Sequence, residues 1–213
     1  MIEIQSFTFN GFQENTYVLF DQTKECIIID PGCYEKSEQN TLVDFIENNK
    51  LKPVKLINTH CHIDHVLGNK FVADKWSLPL YMHEKDLPTL KSVVDYCKVY
   101  GFHNYEPSPE PSVFLNHKDE LTFGQSSLDV YFTPGHAPGH VVFHSPSQKF
   151  VIGGDVLFYT SIGRTDLPGG DHDTLIKSIN ESLLVMDNET VVYCGHGQST
   201  KIGFEKANNP FLK

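Results

Sequence analysis

Residues 59–65, Thr-His-Cys-His-Ile-Asp-His, set four potential metal donors, His60, His62, Asp64 and His65, within six positions. Imidazole nitrogens combined with carboxylate oxygens suit zinc, and also iron or manganese. In an extended segment His60 and His62 share one face and Cys61 points away from it. Asp64 and His65 follow where the chain turns into a helical pattern, a turn that can bring them round toward the two histidines. Three later residues have a common setting: His136, Asp155 and His196 each come just after a β-rich run and beside glycine. Strand ends at one edge of a layered fold can gather residues that are far apart in sequence. The adjacent glycines let backbone approach an ion closely.

The elements that must position these residues read as two similar halves. β-rich runs over 2–9 and 15–20 are joined by Asn10-Gly11-Phe12, a hairpin signal, and a third run over 25–29 ends at Asp30-Pro31-Gly32. A helical pattern follows at about 36–49, then a strand at 54–58, a helix over 66–76 and a short strand at 78–82. Residues 83–99 read as one or two helices. Residues 100–111 are rich in aromatics and proline without periodicity, which predicts an ordered loop packed over something and walling a pocket. In the second half, strands are expected at 128–133, 141–144, 150–154 and 190–193, with a helix at about 174–186. No linker divides the chain, so residues 1–213 are expected to form a single α/β domain, two sheets face to face with helices outside.

Composition excludes several classes. Hydrophobic content of 39% and charged content of 21% are ordinary for a globular protein, and 213 residues are ample to bury a core. A net charge of −10 without a dense Lys/Arg cluster argues against a nucleic-acid partner. Apolar runs are too short to span a bilayer, and the first residues lack a signal peptide's basic and apolar regions. Five scattered cysteines, with no paired spacing, fit reduced thiols in a cytoplasm.

Taken in order, T-H-C-H-I-D-H at 59–65, T-P-G-H-A-P-G-H at 133–140, G-G-D at 153–155 and C-G-H-G at 194–197 resemble the metallo-β-lactamase fold superfamily. Within it the chain is similar to small glyoxalase II-type (hydroxyacylglutathione hydrolase-like) hydrolases, from about residue 2 to 206. The resemblance implies a four-layer αββα sandwich with two zinc ions (iron or manganese being alternatives) on one edge. It assigns His60, His62 and His136 to the first metal and Asp64, His65 and His196 to the second. Asp155 bridges the two, and Asp64 and Asp155 carry the catalytic role. Asp30 matches an aspartate that is structural or orients a ligand histidine. The implied reaction is hydrolysis of a small-molecule thioester such as S-D-lactoylglutathione, by a monomer or homodimer. A thiolate leaving group needs little help from a general acid.

Arg164, in the Gly163-Arg164-Thr165-Asp166 run, stands where such enzymes place a basic residue that anchors glutathione; its planar fork suits a carboxylate. The competing expectation is a structural pair with Asp166 or Asp171. The stretch after His196 is too short for the helical domain that supplies much of the glutathione site in larger relatives. Other chemistries stay open at this point: a mononuclear iron persulfide dioxygenase using His60, His136 and Asp155, or lactonase and β-lactamase activity. Among the remaining histidines, His83, His103, His117 and His172 are expected at the surface or in caps. His140 and His144 alternate on a strand and are expected to share a face, with support of the ligands from behind as an alternative for His140.

Overall fold

The computed structural model describes residues 1–213. They fall into two compact units, residues 1–114 with 122–126, and residues 115–121 with 127–213.

The first unit is built on a sheet of β1 (Glu3–Phe9), β2 (Glu14–Phe20), β3 (Glu25–Ile29), β4 (Lys52–Ile57), β5 (Leu80–Met82) and β6 (Val113–Phe114), adjacent in that order. Short turns join β1 to β2 and β2 to β3, so those pairs are antiparallel; longer excursions make the remaining pairs parallel. The first turn closes with Asn10 and Gln13 at positive φ. The excursions carry α1 (Lys36–Asn48), α2 (Ile63–Val66), α3 (Asn69–Trp76) and α4 (Leu87–Tyr96). Val18, Ile28, Leu42, Ile46, Leu56, Val72 and Met82 share one buried cluster. Because β3 and β4 are parallel, with Ile29 opposite Ile57, Asp30 and Asn58-Thr59-His60 leave the sheet at the same edge. That register brings a residue from the third strand to a motif after the fourth.

The helix expected over 66–76 is interrupted. Gly68 donates its N–H to Pro31 O at 2.7 Å, and a Cβ there would lie 2.6 Å from Cys33 Sγ. This close approach to the turn after β3 ends α2 and restarts the chain as α3. Residues 100–111 are ordered, as expected. The Phe102 ring is buried 4.9 Å from Tyr34, and the Asn104 N–H donates to the Tyr34 hydroxyl at 2.9 Å. Asn104 and Glu106 help wall a cleft of about 380 Å³ with Tyr34, Leu67, Lys70 and Phe71; no metal-ligand candidate lines it. Directly after β2, Asp21 accepts hydrogen bonds from Thr23, the Gln125 N–H and the Ser126 hydroxyl, fastening residues 122–126. Burial opposes its charge, but these bonds outweigh it and hold the carboxyl at about 2.

The second sheet has the order β14-β13-β10-β9-β8-β7: β7 is Glu120–Phe123, β8 Ser126–Phe132, β9 Val141–Ser145, β10 Phe150–Gly154, β13 Val191–Cys194 and β14 Thr200–Lys201. A separate hairpin pairs β11 (Leu157–Phe158) with β12 (Ser161–Ile162). Helices α5 (His172–Ser178) and α6 (Ile202–Asn208) complete the unit. The helix expected at 174–186 is shorter: Asp171 caps it, accepting the Thr174 N–H at 2.8 Å, and residues 179–183 form a wider turn. Val142, Val151, Leu175, Ile179, Val192 and Ile202 pack together. β10 and β13 run parallel and end together at Gly154 and Cys194, so Asp155 and His196 emerge from one edge.

Candidate metal centre

In the first unit His60, His62, Asp64 and His65 converge. The His60 ring lies 4.8 Å from that of His62 and 4.1 Å from that of His65. Asp30, His60 and His65 each present a donor atom, all within 4.8 Å of one another. Hydrogen bonds assign the tautomers. Thr59 Oγ1 donates to Asp30 Oδ2 at 2.6 Å, so toward His60 Nδ1, 3.1 Å away, it acts as acceptor. His60 therefore carries its proton on Nδ1, leaving the Nε2 lone pair for a ligand. His65 Nδ1 lies 3.2 Å from the same Asp30 oxygen, which places its proton there too. The buried His65 Nε2 then presents a lone pair 3.7 Å from Asp64 Oδ2.

Two electron-rich atoms facing each other in a buried site repel unless a cation lies between them. The second unit repeats this arrangement. His136 Nδ1 donates to Arg164 O at 2.7 Å, so the Nε2 lone pair faces Asp155 Oδ2 at 3.5 Å. His196 Nε2 approaches that same oxygen to 3.4 Å. The donor set, imidazole lone pairs with carboxylates, fits divalent ions such as zinc or iron.

Supporting groups surround both clusters. His140 accepts the Asp155 backbone N–H on Nε2 at 3.0 Å, with Nδ1 3.3 Å from Thr133 Oγ1, the alternative role named for it. Asp30 faces His65 Nδ1 at 3.2 Å and orients that ring. His83 is buried and accepts the Lys85 N–H at 3.1 Å, a capping role, and burial, followed by Lys85, lowers its pKa. Arg164 turns its fork to Asp166, with two contacts of 2.7 Å on an exposed surface. The arginine thus shows the structural pairing, while its backbone carbonyl touches a site histidine.

Several participants had no sequence signal strong enough to single them out. Asp86 is fully buried and accepts the Cys61 N–H at 2.6 Å, gripping the loop between His60 and His62. Burial, then the Asp86 charge, pushes the Cys61 thiol well above its usual range, which keeps it a neutral packing group. Glu14 is fully buried 3.9 Å from His65 Nδ1. Burial holds its carboxyl well above the usual range, against the pull of His65 and with Asp30 adding to the rise. A glutamate directly before the β-rich run over 15–20 was the available clue.

Pre-oriented imidazoles and buried carboxylates at strand ends define a metallo-hydrolase type of centre. The family model for the metallo-beta-lactamase superfamily matches residues 9–196. A probable metallo-hydrolase of Bacillus subtilis, YqgX, is 37% identical over 204 residues, covering 94% of this chain and 92% of that one. The hydroxyacylglutathione hydrolase GloC of Haemophilus influenzae is 34% identical, covering 99% and 98%. Among solved structures, the BLEG-1 B3 metallo-beta-lactamase superposes with a TM-score of 0.88 at 35% identity, covering 99% of this chain and 100% of its own. TTHA1623 in a di-iron-bound form gives 0.87 at 35%, covering 98% and 100%. The chain belongs to the metallo-beta-lactamase superfamily. Its fold is the αββα sandwich expected from the motifs, and it is a metallo-hydrolase with His/Asp groups suited to metal.

Proposed function

We propose that this protein is a binuclear thioester hydrolase of the glyoxalase II type, acting on glutathione thioesters such as S-D-lactoylglutathione. The observation that carries the reading is the similarity to the Haemophilus hydroxyacylglutathione hydrolase over nearly the whole of both chains. In this reading residues 1–213 act as one catalytic domain. His60, His62 and His136 would hold one ion and Asp64, His65 and His196 the other, with Asp155 available to both. Bound divalent ions supply Lewis acidity and activate water near neutral pH. The protein's part is to hold lone pairs in place: Asp30, Thr59 and the Arg164 carbonyl keep protons on the outward ring nitrogens of His65, His60 and His136, which orients those three imidazoles. Asp64 and Asp155 offer the carboxylates on which metal and water are positioned.

Zinc is the proposed metal, with iron supported by the di-iron form of the similar TTHA1623. Arg164 is proposed to exchange Asp166 for a substrate carboxylate. No helix is long and apolar enough to cross a membrane, and all five cysteines are free and buried, which supports a reducing, cytoplasmic setting. A monomer or homodimer is proposed, with no nucleic-acid or membrane partner.

The test is to load separate samples with zinc and with iron and offer S-D-lactoylglutathione and glutathione persulfide. Thioester cleavage that persists without oxygen, and with zinc, is expected, because zinc activates water without a redox change. Oxygen uptake with persulfide and no thioester cleavage would overturn the reading in favour of a dioxygenase.

A further inference from the structure

The chain leaves Asp155, makes the β11–β12 hairpin, and returns to the site at Gly163 and Arg164. Its return is tight: Gly163 donates to Val156 O at 3.2 Å, and a Cβ on Gly163 would fall 1.9 Å from Asp155 O. The Arg164 carbonyl then receives the His136 Nδ1 proton at 2.7 Å. Such a carbonyl fixes a ring only if the loop carrying it is itself held.

What holds the loop lies on α6. Glu205 is fully buried, although a charged residue on a short terminal helix would ordinarily face water. Both of its carboxylate oxygens accept the Thr160 N–H at 3.1 Å, at the hairpin tip, where Thr160 adopts φ 55. The Thr200 hydroxyl and Asn209 Nδ2 supply its other donors, at 2.5 and 2.7 Å. Asn209, just after α6, also donates from Nδ2 to Ser161 O at 3.0 Å, so the helix and its cap hold the successive residues Thr160 and Ser161 where the hairpin turns into β12. An apolar side chain would fill this space without the cost of burying a charge. A carboxylate is useful here because it collects a backbone N–H that no strand partner satisfies.

We infer that Glu205, with Asn209, is a positioning residue for His136: by clamping the hairpin tip it fixes the Arg164 carbonyl that orients the imidazole for metal. This rests on His136 being a metal ligand, but not on the identity of the substrate.

The test compares the zinc-loaded wild type with Glu205→Gln, whose amide turns donors toward Thr160 or Thr200. Phe211→Ala, which trims an exposed aromatic beyond the clamp, is the control. Amide hydrogen exchange at residues 160–164 and zinc competition against a chelator are read on the folded proteins. In Glu205→Gln these amides should exchange at least about 10-fold faster. One zinc equivalent should also weaken by roughly 10-fold or more, the range expected when an outer partner of a ligand is lost. The control should match wild type. A merely structural glutamate would lower the melting temperature and leave zinc competition unchanged in folded protein, and that result overturns the inference. If Glu205→Gln does not fold, Asn209→Ala decides by the same two measurements. Should wild type lack thioesterase activity, the hydrolase reading falls while the zinc and exchange data still decide this one.

Discussion

Asp30→Asn is nearly isosteric, yet it should disable the first cluster. One carboxylate oxygen accepts the Thr59 N–H at 2.7 Å; the other accepts the Thr59 hydroxyl at 2.6 Å and faces His65 Nδ1 at 3.2 Å. An asparagine keeps a single acceptor oxygen and puts an NH₂ where the second stood. If the oxygen stays with the Thr59 N–H, the amide meets the Nδ1–H of His65 donor to donor. His65 must then move its proton to Nε2, the atom proposed to bind metal, or leave Nδ1–H unpaired in a fully buried site. Two hydrogen bonds to a charged group are lost, at about 1.5–3 kcal/mol each. A destabilisation of about 3–5 kcal/mol follows, as for breaking a buried charged pair. Metal affinity should fall roughly 10- to 100-fold. Urea unfolding of metal-free protein reads the first figure, chelator competition the second, and imidazole nitrogen chemical shifts the tautomer. A variant within about 1 kcal/mol of wild type, with His65 still protonated on Nδ1 and unchanged metal affinity, would refute the tautomer argument.

Two further perturbations probe other parts of the molecule. Arg164→Ala removes an exposed pairing with Asp166, so metal content and thermal midpoint should hold, while kcat/KM for glutathione thioesters drops about 10-fold; equal loss on an uncharged thioester would assign the arginine a structural role only. His144 is buried, with no hydrogen-bond partner for Nδ1, and burial lowers its pKa. Below the ordinary value of about 6.5 the unfolded chain takes up the proton before the folded one does. The stability that His144 contributes is thus present above that pH and is lost as pH falls toward the depressed folded value. The stability difference between wild type and His144→Leu should shift in favour of the variant on acidification through this window; a difference independent of pH would sink the assignment.

The sequence by itself determined the local matters. Apolar runs ended by Asp30-Pro31-Gly32, Pro134-Gly135 and Gly153-Gly154 marked strands and their ends, because turn chemistry depends on neighbours in the chain. The six residues 60–65 marked a candidate metal cluster for the same reason, and four motifs in order were enough to point to the superfamily. Other properties depended on which distant segments meet. Only the parallel register of β3 and β4 sets Asp30 behind His65, and only packing puts Asp86 under Cys61 and Glu14 beside His65. Glu205 looks like an ordinary surface residue of a short helix until the fold turns it onto Thr160. The break at Gly68 has the same origin, since a helical pattern over 66–76 carries no trace of the Pro31 carbonyl pressing against it. Which residues are candidate ligands is a matter of residue type and spacing, whereas the tautomer, orientation and support of each ring are set by hydrogen-bond partners that only the tertiary structure brings within reach.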